Sequence, residues 1–173
     1  ANRAGGGIEI SSATGETYSF NNVTFSGNNI TTANPGNGGA FHISGPGNST
    51  FTDCTVANNT AAEGGGLWNG SGTMTVSGGT YNNNEATGND PDQGGGALFN
   101  NGGTMIVNNF ADIYSNIATG TSGSGGAILS TGGTLNTDTI FLSSNGANRA
   151  GGGIEIIDGT ANLLDISLIS NDV

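Results

Sequence analysis

A short glycine run followed by an apolar residue returns six times along the chain: GGGIEI at Gly5, GGAFHI at Gly38, GGGLWN at Gly64, GGALFN at Gly95, GGAILS at Gly125 and GGGIEI at Gly151. Each run is followed 20–23 residues later by an asparagine in an apolar-x-x-Asn context, at Asn28, Asn59, Asn84, Asn116, Asn145 and Asn171. The interval from each asparagine to the next glycine run varies far more, from 5 to 11 residues. A body of fixed length with one variable joint is the signature of a solenoid, in which insertions collect on one side of the coil.

Within each body apolar residues alternate with polar ones, as strands require. The inward pairs are Ile8/Ile10, Phe41/Ile43, Leu67/Asn69, Leu98/Asn100, Ile128/Ser130 and Ile154/Ile156 for a first strand. A second strand carries Tyr18/Phe20, Ser49/Phe51, Met74/Val76, Met105/Val107, Leu135/Thr137 and Ala161/Leu163. A third carries Val23/Phe25, Cys54/Val56, Gly79/Tyr81, Ile140/Leu142 and Ile166/Leu168, with Ile113 in the fourth coil preceded by either Phe110 or Ala111. The alternative at that point implies a bulge of one residue. The pattern predicts an all-β, right-handed parallel β-helix with three strands per coil and about six coils, spanning residues 1–173 as one segment of a longer protein. Handedness here follows from the general crossover rule. The glycine pairs supply corners where φ must be free, and the asparagines are placed to stack as a hydrogen-bonded ladder.

The composition suits such a slender fold. Of 173 residues 34 are glycine, and only 33% are apolar, too few for a thick core. The net charge is −11, with two arginines and no lysine. That excludes a basic footprint for nucleic acid, and no stretch is apolar and long enough to insert into a membrane. Lysine-based chemistry is excluded as well. One cysteine, Cys54, permits no internal disulfide and falls in an inward column, where it reads as a small buried hydrophobe. An acidic, lysine-free chain rich in Asn, Thr and Ser is compatible with an extracellular or cell-surface location.

The Gly-Gly-Ala/Gly-apolar and apolar-x-x-Asn pair resembles the repeats of polymorphic outer-membrane proteins and related parallel β-helix repeat proteins. The resemblance covers all six coils. It implies a β-helix passenger of a large secreted or surface protein, often adhesive. No C-terminal membrane barrel accompanies the repeats here.

A longer period overlies the coil repeat. The decapeptide ANRAGGGIEI at 1–10 recurs unchanged at 147–156, and no other coil carries ANRA. Residues 1–146 then form one five-coil super-repeat, and 147–173 begin the next.

Catalytic constellations are not visible. Cleavage of acidic polysaccharides on β-helices uses a basic residue beside carboxylates, and the only candidates, Arg3 and Arg149, stand five coils apart. Hydrolytic pairs need carboxylates about 5–9.5 Å from each other, whereas Asp53, Glu85, Asp112, Asp138 and Asp165 fall on different columns or faces. A non-enzymatic chain is expected, and no cofactor. Calcium is the one ion the sequence leaves room for, at the joint EATGNDPDQ, which gathers Glu85, Asn89, Asp90 and Asp92.

Outward on the first strand stand Glu9, His42, Trp68, Phe99, Leu129 and Glu155. Four consecutive coils thus present His42, Trp68, Phe99 and Leu129 next to the variable joints. Such a strip is either an exposed contact surface for a glycan, a neighbouring rod or another cell surface, or a strip covered by a joint that folds back over it. Outward on the third strand, Thr24, Thr55 and Thr80 give way to Asp112, Phe141 and Ser167. The expected role is a structural rod, as a stalk, filament or adhesin passenger, with one lateral contact face and end-to-end stacking on neighbouring repeats. The alternative is a carbohydrate-binding or polysaccharide-degrading β-helix.

Overall fold

The computed structural model describes residues 4–30 and 36–173, and within them contains strands and turns but no helix. Arg3 lies outside the described residues. The chain winds into a parallel β-solenoid of about five turns, with three sheets and roughly three strands to a turn. The first sheet has six strands, Ile8–Ser11, Phe41–Ser44, Leu67–Asn69, Leu98–Asn100, Ile128–Ser130 and Ile154–Ile156. Each pairs in parallel with its counterpart one turn on, Ile8 with Phe41, Phe41 with Leu67, and so through to Ile154.

The expected second and third strands belong to one sheet folded over a corner. They are separate in the early turns, as Asn48–Thr52 and Thr55–Ala57 for example. In the last two turns they run through without a break, as Thr134–Ser143 and Thr160–Ile169. A single left-handed residue, Thr139 or Asp165, bends each long strand without ending it. The third sheet is made of two-residue strands inside what the sequence presents as the joint: Thr60–Ala61, Glu85–Ala86, Ile117–Ala118 and Gly146–Ala147. Joint length varies, but the alanine after the asparagine is pinned. Ala61, Ala86, Ala118 and Ala147 are buried, and the last three form a small apolar cluster of their own.

Three corners close each turn, and each uses a residue at positive φ. One is the first glycine of the run, at φ between 59° and 68° in all six turns. A second comprises Asn22, Asp53, Gly78 with Gly79, Asn109 with Phe110, Thr139 and Asp165, and a third Gly27, Asn58, Asn83, Ser115, Ser144 and Ser170. Short polar side chains and glycine tolerate this region best. The second glycine of each run answers a different need. A Cβ on Gly39 would lie 2.1 Å from the Gly65 carbonyl oxygen, and one on Gly65 would lie 2.4 Å from those of Glu85 and Gly96. Adjacent turns meet there with no room for any side chain.

The inward columns make one continuous core. Its N-terminal end is aromatic: Phe20 stacks on Phe51 at 4.8 Å, and Phe41 meets Phe51 edge-on at 5.0 Å. Val76 and Val107 carry the Phe20–Phe51 column onward, and Met74, Met105 and Leu135 run beside it in the neighbouring inward column, all fully buried. Each such side chain contributes about 1.5–3 kcal/mol by leaving water. Cys54 is buried in this core, with its thiol directed at the carbonyl oxygens of Phe20 and Thr52, 3.5 Å from each.

Candidate functional site

The strip on the outer side of the first sheet is not exposed, which corrects its reading as a contact surface. His42 is 4% accessible, Trp68 6%, Phe99 2% and Leu129 0%. They are in register, and the rings stack along the rod axis, with His42 to Trp68 centroids 4.4 Å apart and Trp68 to Phe99 6.1 Å. The joints fold back over them. Glu63, in the joint before Trp68, accepts a hydrogen bond from Trp68 Nε1 at 3.0 Å, and Gln93 and Asp92 of the next joint sit against Glu63. The strip is a second, smaller core.

The asparagines Asn28, Asn59, Asn84, Asn116, Asn145 and Asn171 form a directional ladder. From Asn59 onward each Oδ1 accepts twice from the asparagine one turn earlier, from its backbone N–H and its Nδ2, at 2.9–3.1 Å. From Asn59 onward, each Nδ2 also donates back to a carbonyl of the preceding turn: Phe25, Val56, Tyr81, Ile113 and Leu142. A shorter polar column, Asn69, Asn100 and Ser130, lies buried at the end of the first sheet. Asn69 Nδ2 donates to Asn100 Oδ1 at 2.9 Å, and Asn100 Nδ2 to Ser130 Oγ at 3.2 Å. Sequence reasoning placed these three inward without joining them. The signal was there, in polar residues repeating at one core position. Asn69 Oδ1 has no partner, since its register neighbour one turn earlier is Ile43.

The acidic joint does not gather its oxygens. Glu85 Oε1 accepts from Thr119 Oγ1 at 2.7 Å, and Asn89 Oδ1 accepts from the Thr121 backbone N–H at 3.0 Å. The Asp90 backbone exchanges hydrogen bonds with Gln93. Among the described residues no three His, Cys, Asp or Glu side chains form a group able to hold a metal ion. Glu85 stands in the short strand of the third sheet, and Asn89, Asp90 and Asp92 in the loop that follows it. Arg149 is similarly structural. It bonds the Ser124 hydroxyl, the Pro91 carbonyl and the Glu155 carboxylate, at 2.9, 3.0 and 2.6 Å, clamping three successive turns.

Apolar groups are exposed elsewhere, on the outer face of the folded sheet. Phe110 is 62% accessible and Phe141 44%, with their rings stacked at 6.3 Å. Leu164 and Ile169 follow on the last turn, also exposed. Between the second and third strands the first three turns use two residues, such as Gly78–Gly79, but the fourth uses Asn109, Phe110 and Ala111. This is the bulge. Ala111 takes the inward place, fully buried, and Phe110 is turned out. Beside it Ser77, Asn108, Asn109, Phe110, Asp138 and Thr139 line a shallow groove of about 340 Å³. A second hollow, of about 430 Å³, opens at the last turn over Ile154, Ile156, Leu163 and Leu168, which face along the axis.

No protein-family model, no curated protein and no solved structure matches the chain.

Proposed function

We propose that the chain is rod material of a large secreted or cell-surface repeat protein, without catalytic activity, built to continue by stacking coil on coil. The carrying observation is the use made of the repeated decapeptide. At its first occurrence Gly5, Gly6 and Ile8 donate their backbone N–H groups to Asn37, Gly38 and Ala40 of the following turn. At its second, Ala150, Gly151 and Gly153 accept from Gly125, Gly126 and Ile128 of the preceding turn. One sequence thus serves with its donor edge in one place and its acceptor edge in the other. That is what a chain of tandem 146-residue units requires at every junction, each unit adding about 24 Å of rod at the usual strand spacing. The asparagine ladder supports the same reading. Asn171 presents N–H donors forward and Asn28 an acceptor backward, so stacking is head-to-tail. The acidic, lysine-free composition supports the location. The exposed run Phe110, Phe141, Leu164 and Ile169 supports a lateral contact face on the rod.

The test is a chain carrying residues 1–146 ahead of 1–173, studied by small-angle scattering and thermal unfolding. The expected result is a particle longer by about 24 Å with unchanged cross-section and a higher unfolding midpoint, since stability in a solenoid grows with the number of nearest-neighbour interfaces. Two independently moving bodies with the original midpoint would overturn it.

A further inference from the structure

We propose that the groove at Phe110 is a binding subsite for an uncharged glycan, with Phe110 as its platform; this rests on the reading of the folded sheet's outer face as a contact face. The argument begins with the backbone. Two turns cross this corner on a pair of left-handed residues: the third uses glycines, Gly78 at φ 65° and Gly79 at φ 81°, while the fourth uses Asn109 at φ 57° and Phe110 at φ 62°. A bulky aromatic at positive φ is strained. Neither burial nor backbone ease accounts for it here, because the ring, though stacked on Phe141, is 62% accessible, and glycine would suit the angle better. Strain held to present an apolar ring to solvent points to a ligand for that ring.

The turn before that of Phe110 has Gly78–Gly79 at the same corner. A Cβ on Gly78 would come within 2.4 Å of Asp53 Oδ1 and 3.2 Å of the Asn109 carbonyl oxygen. The Asp53 carboxylate thus takes the place a side chain at position 78 would fill, next to the Asn109 backbone. Polar groups dominate the rest of the wall: Ser77, Asn108, Asp138 and Thr139. Asn108 Oδ1, buried beside the groove, has no hydrogen-bond partner. At about 340 Å³ the groove is at the small end of ligand sites, about 300–1,000 Å³.

An aromatic surface bordered by short amides, carboxylates and hydroxyls matches a pyranose, with one face of C–H groups and a rim of hydroxyls that both donate and accept. Phe141, one turn on, lengthens the apolar contact along the rod axis. Charge selects among sugars. Asp138 lines the groove, and the only described cation, Arg149, is held by Glu155, Ser124 and Pro91. A uronate or sulfate would meet like charge with no counter-ion.

The experiment titrates the full chain with neutral hexasaccharides (cello-, chito-, manno- and xylo-) and with oligogalacturonate as the acidic control, by NMR and calorimetry. The variants are Phe110→Gly and Phe110→Tyr. At least one neutral hexasaccharide should bind, Phe110→Gly should weaken it roughly tenfold or more, and Phe110→Tyr should retain it. The glycine variant fits the observed φ, so an unchanged or raised melting temperature shows that the loss is not unfolding. No binding of any neutral probe at about 10 mM, equal binding by Phe110→Gly, or preference for the acidic probe would each overturn the proposal. The tandem-unit experiment reads rod stacking separately, so failure of the glycan site and failure of the rod are distinguishable.

Discussion

Trp68 Nε1 donates to Glu63 Oε2 at 3.0 Å, and through that bond a variable joint is fastened over the outer strip of the first sheet. Burial is the main reason the Glu63 carboxyl lies above the usual carboxylate range, and the Asp92 charge adds to it; the hydrogen bonds from Trp68 and Gln93 oppose the shift. Between its ordinary and raised values the folded chain holds a proton at Glu63 that the unfolded chain has released. Its contribution to stability therefore falls as pH rises through that window. Glu63→Gln keeps an acceptor for Trp68 and removes the buried charge. Relative to wild type the variant should gain stability above the window and show no difference below it, read as melting temperatures at pH 4 and 7. A lower melting temperature for the variant at pH 7 would contradict this account.

Trp68 itself acts on stability. Truncating a buried aromatic leaves a cavity costing about 3–5 kcal/mol, and Trp68→Ala should show a loss of that size in urea denaturation. Glycan binding at Phe110, on the folded sheet, should be unchanged for the fraction that remains folded.

The ladder predicts a gradient along the chain. Asn84→Ala removes the acceptor of the Asn59 N–H and Nδ2 and the donor to Val56 and Asn116, all in a buried setting. The loss should be about 2–4 kcal/mol. Asn171→Ala in the last turn breaks the bonds to Asn145 and Leu142 where water has access, and should cost about half as much or less. Equal losses in chemical denaturation would show that the ladder is not cooperative.

Much of this was legible in the sequence. Alternation fixed which residues point inward, and the glycine and asparagine positions gave the turn length, because both are set by contacts with the neighbouring turn that recur at every copy. What alternation cannot show is the cover over an outward residue. His42, Trp68, Phe99 and Leu129 do face away from the main core, but the joint that buries them varies in length and carries no period. The same limit hid the short third sheet, whose strands are two residues long. Phe110 against Ala111 was a choice between two apolar residues at a bulge, decided by which side chain fits between Ile140 and the glycines of the turn before.

The two kinds of glycine separate in a mutational test. Gly65→Ala would drive a methyl into two backbone carbonyls and should abolish folding, seen as loss of the β-sheet circular dichroism signal. Gly102→Ala meets nothing within 4 Å and suffers only from its φ of 84°, so the loss should stay near 1 kcal/mol. A folded Gly65→Ala would mean the turns can move apart.

The bonds from Gly5, Gly6 and Ile8 to the next turn, and from Gly125, Gly126 and Ile128 to the turn after theirs, run along the length of the rod. Tension applied through the chain ends therefore pulls along these bonds, and the outermost turn, held to one neighbour only, opens first. Such a molecule should yield from its ends inward, one turn after another, each interior turn staying closed until its neighbour has gone.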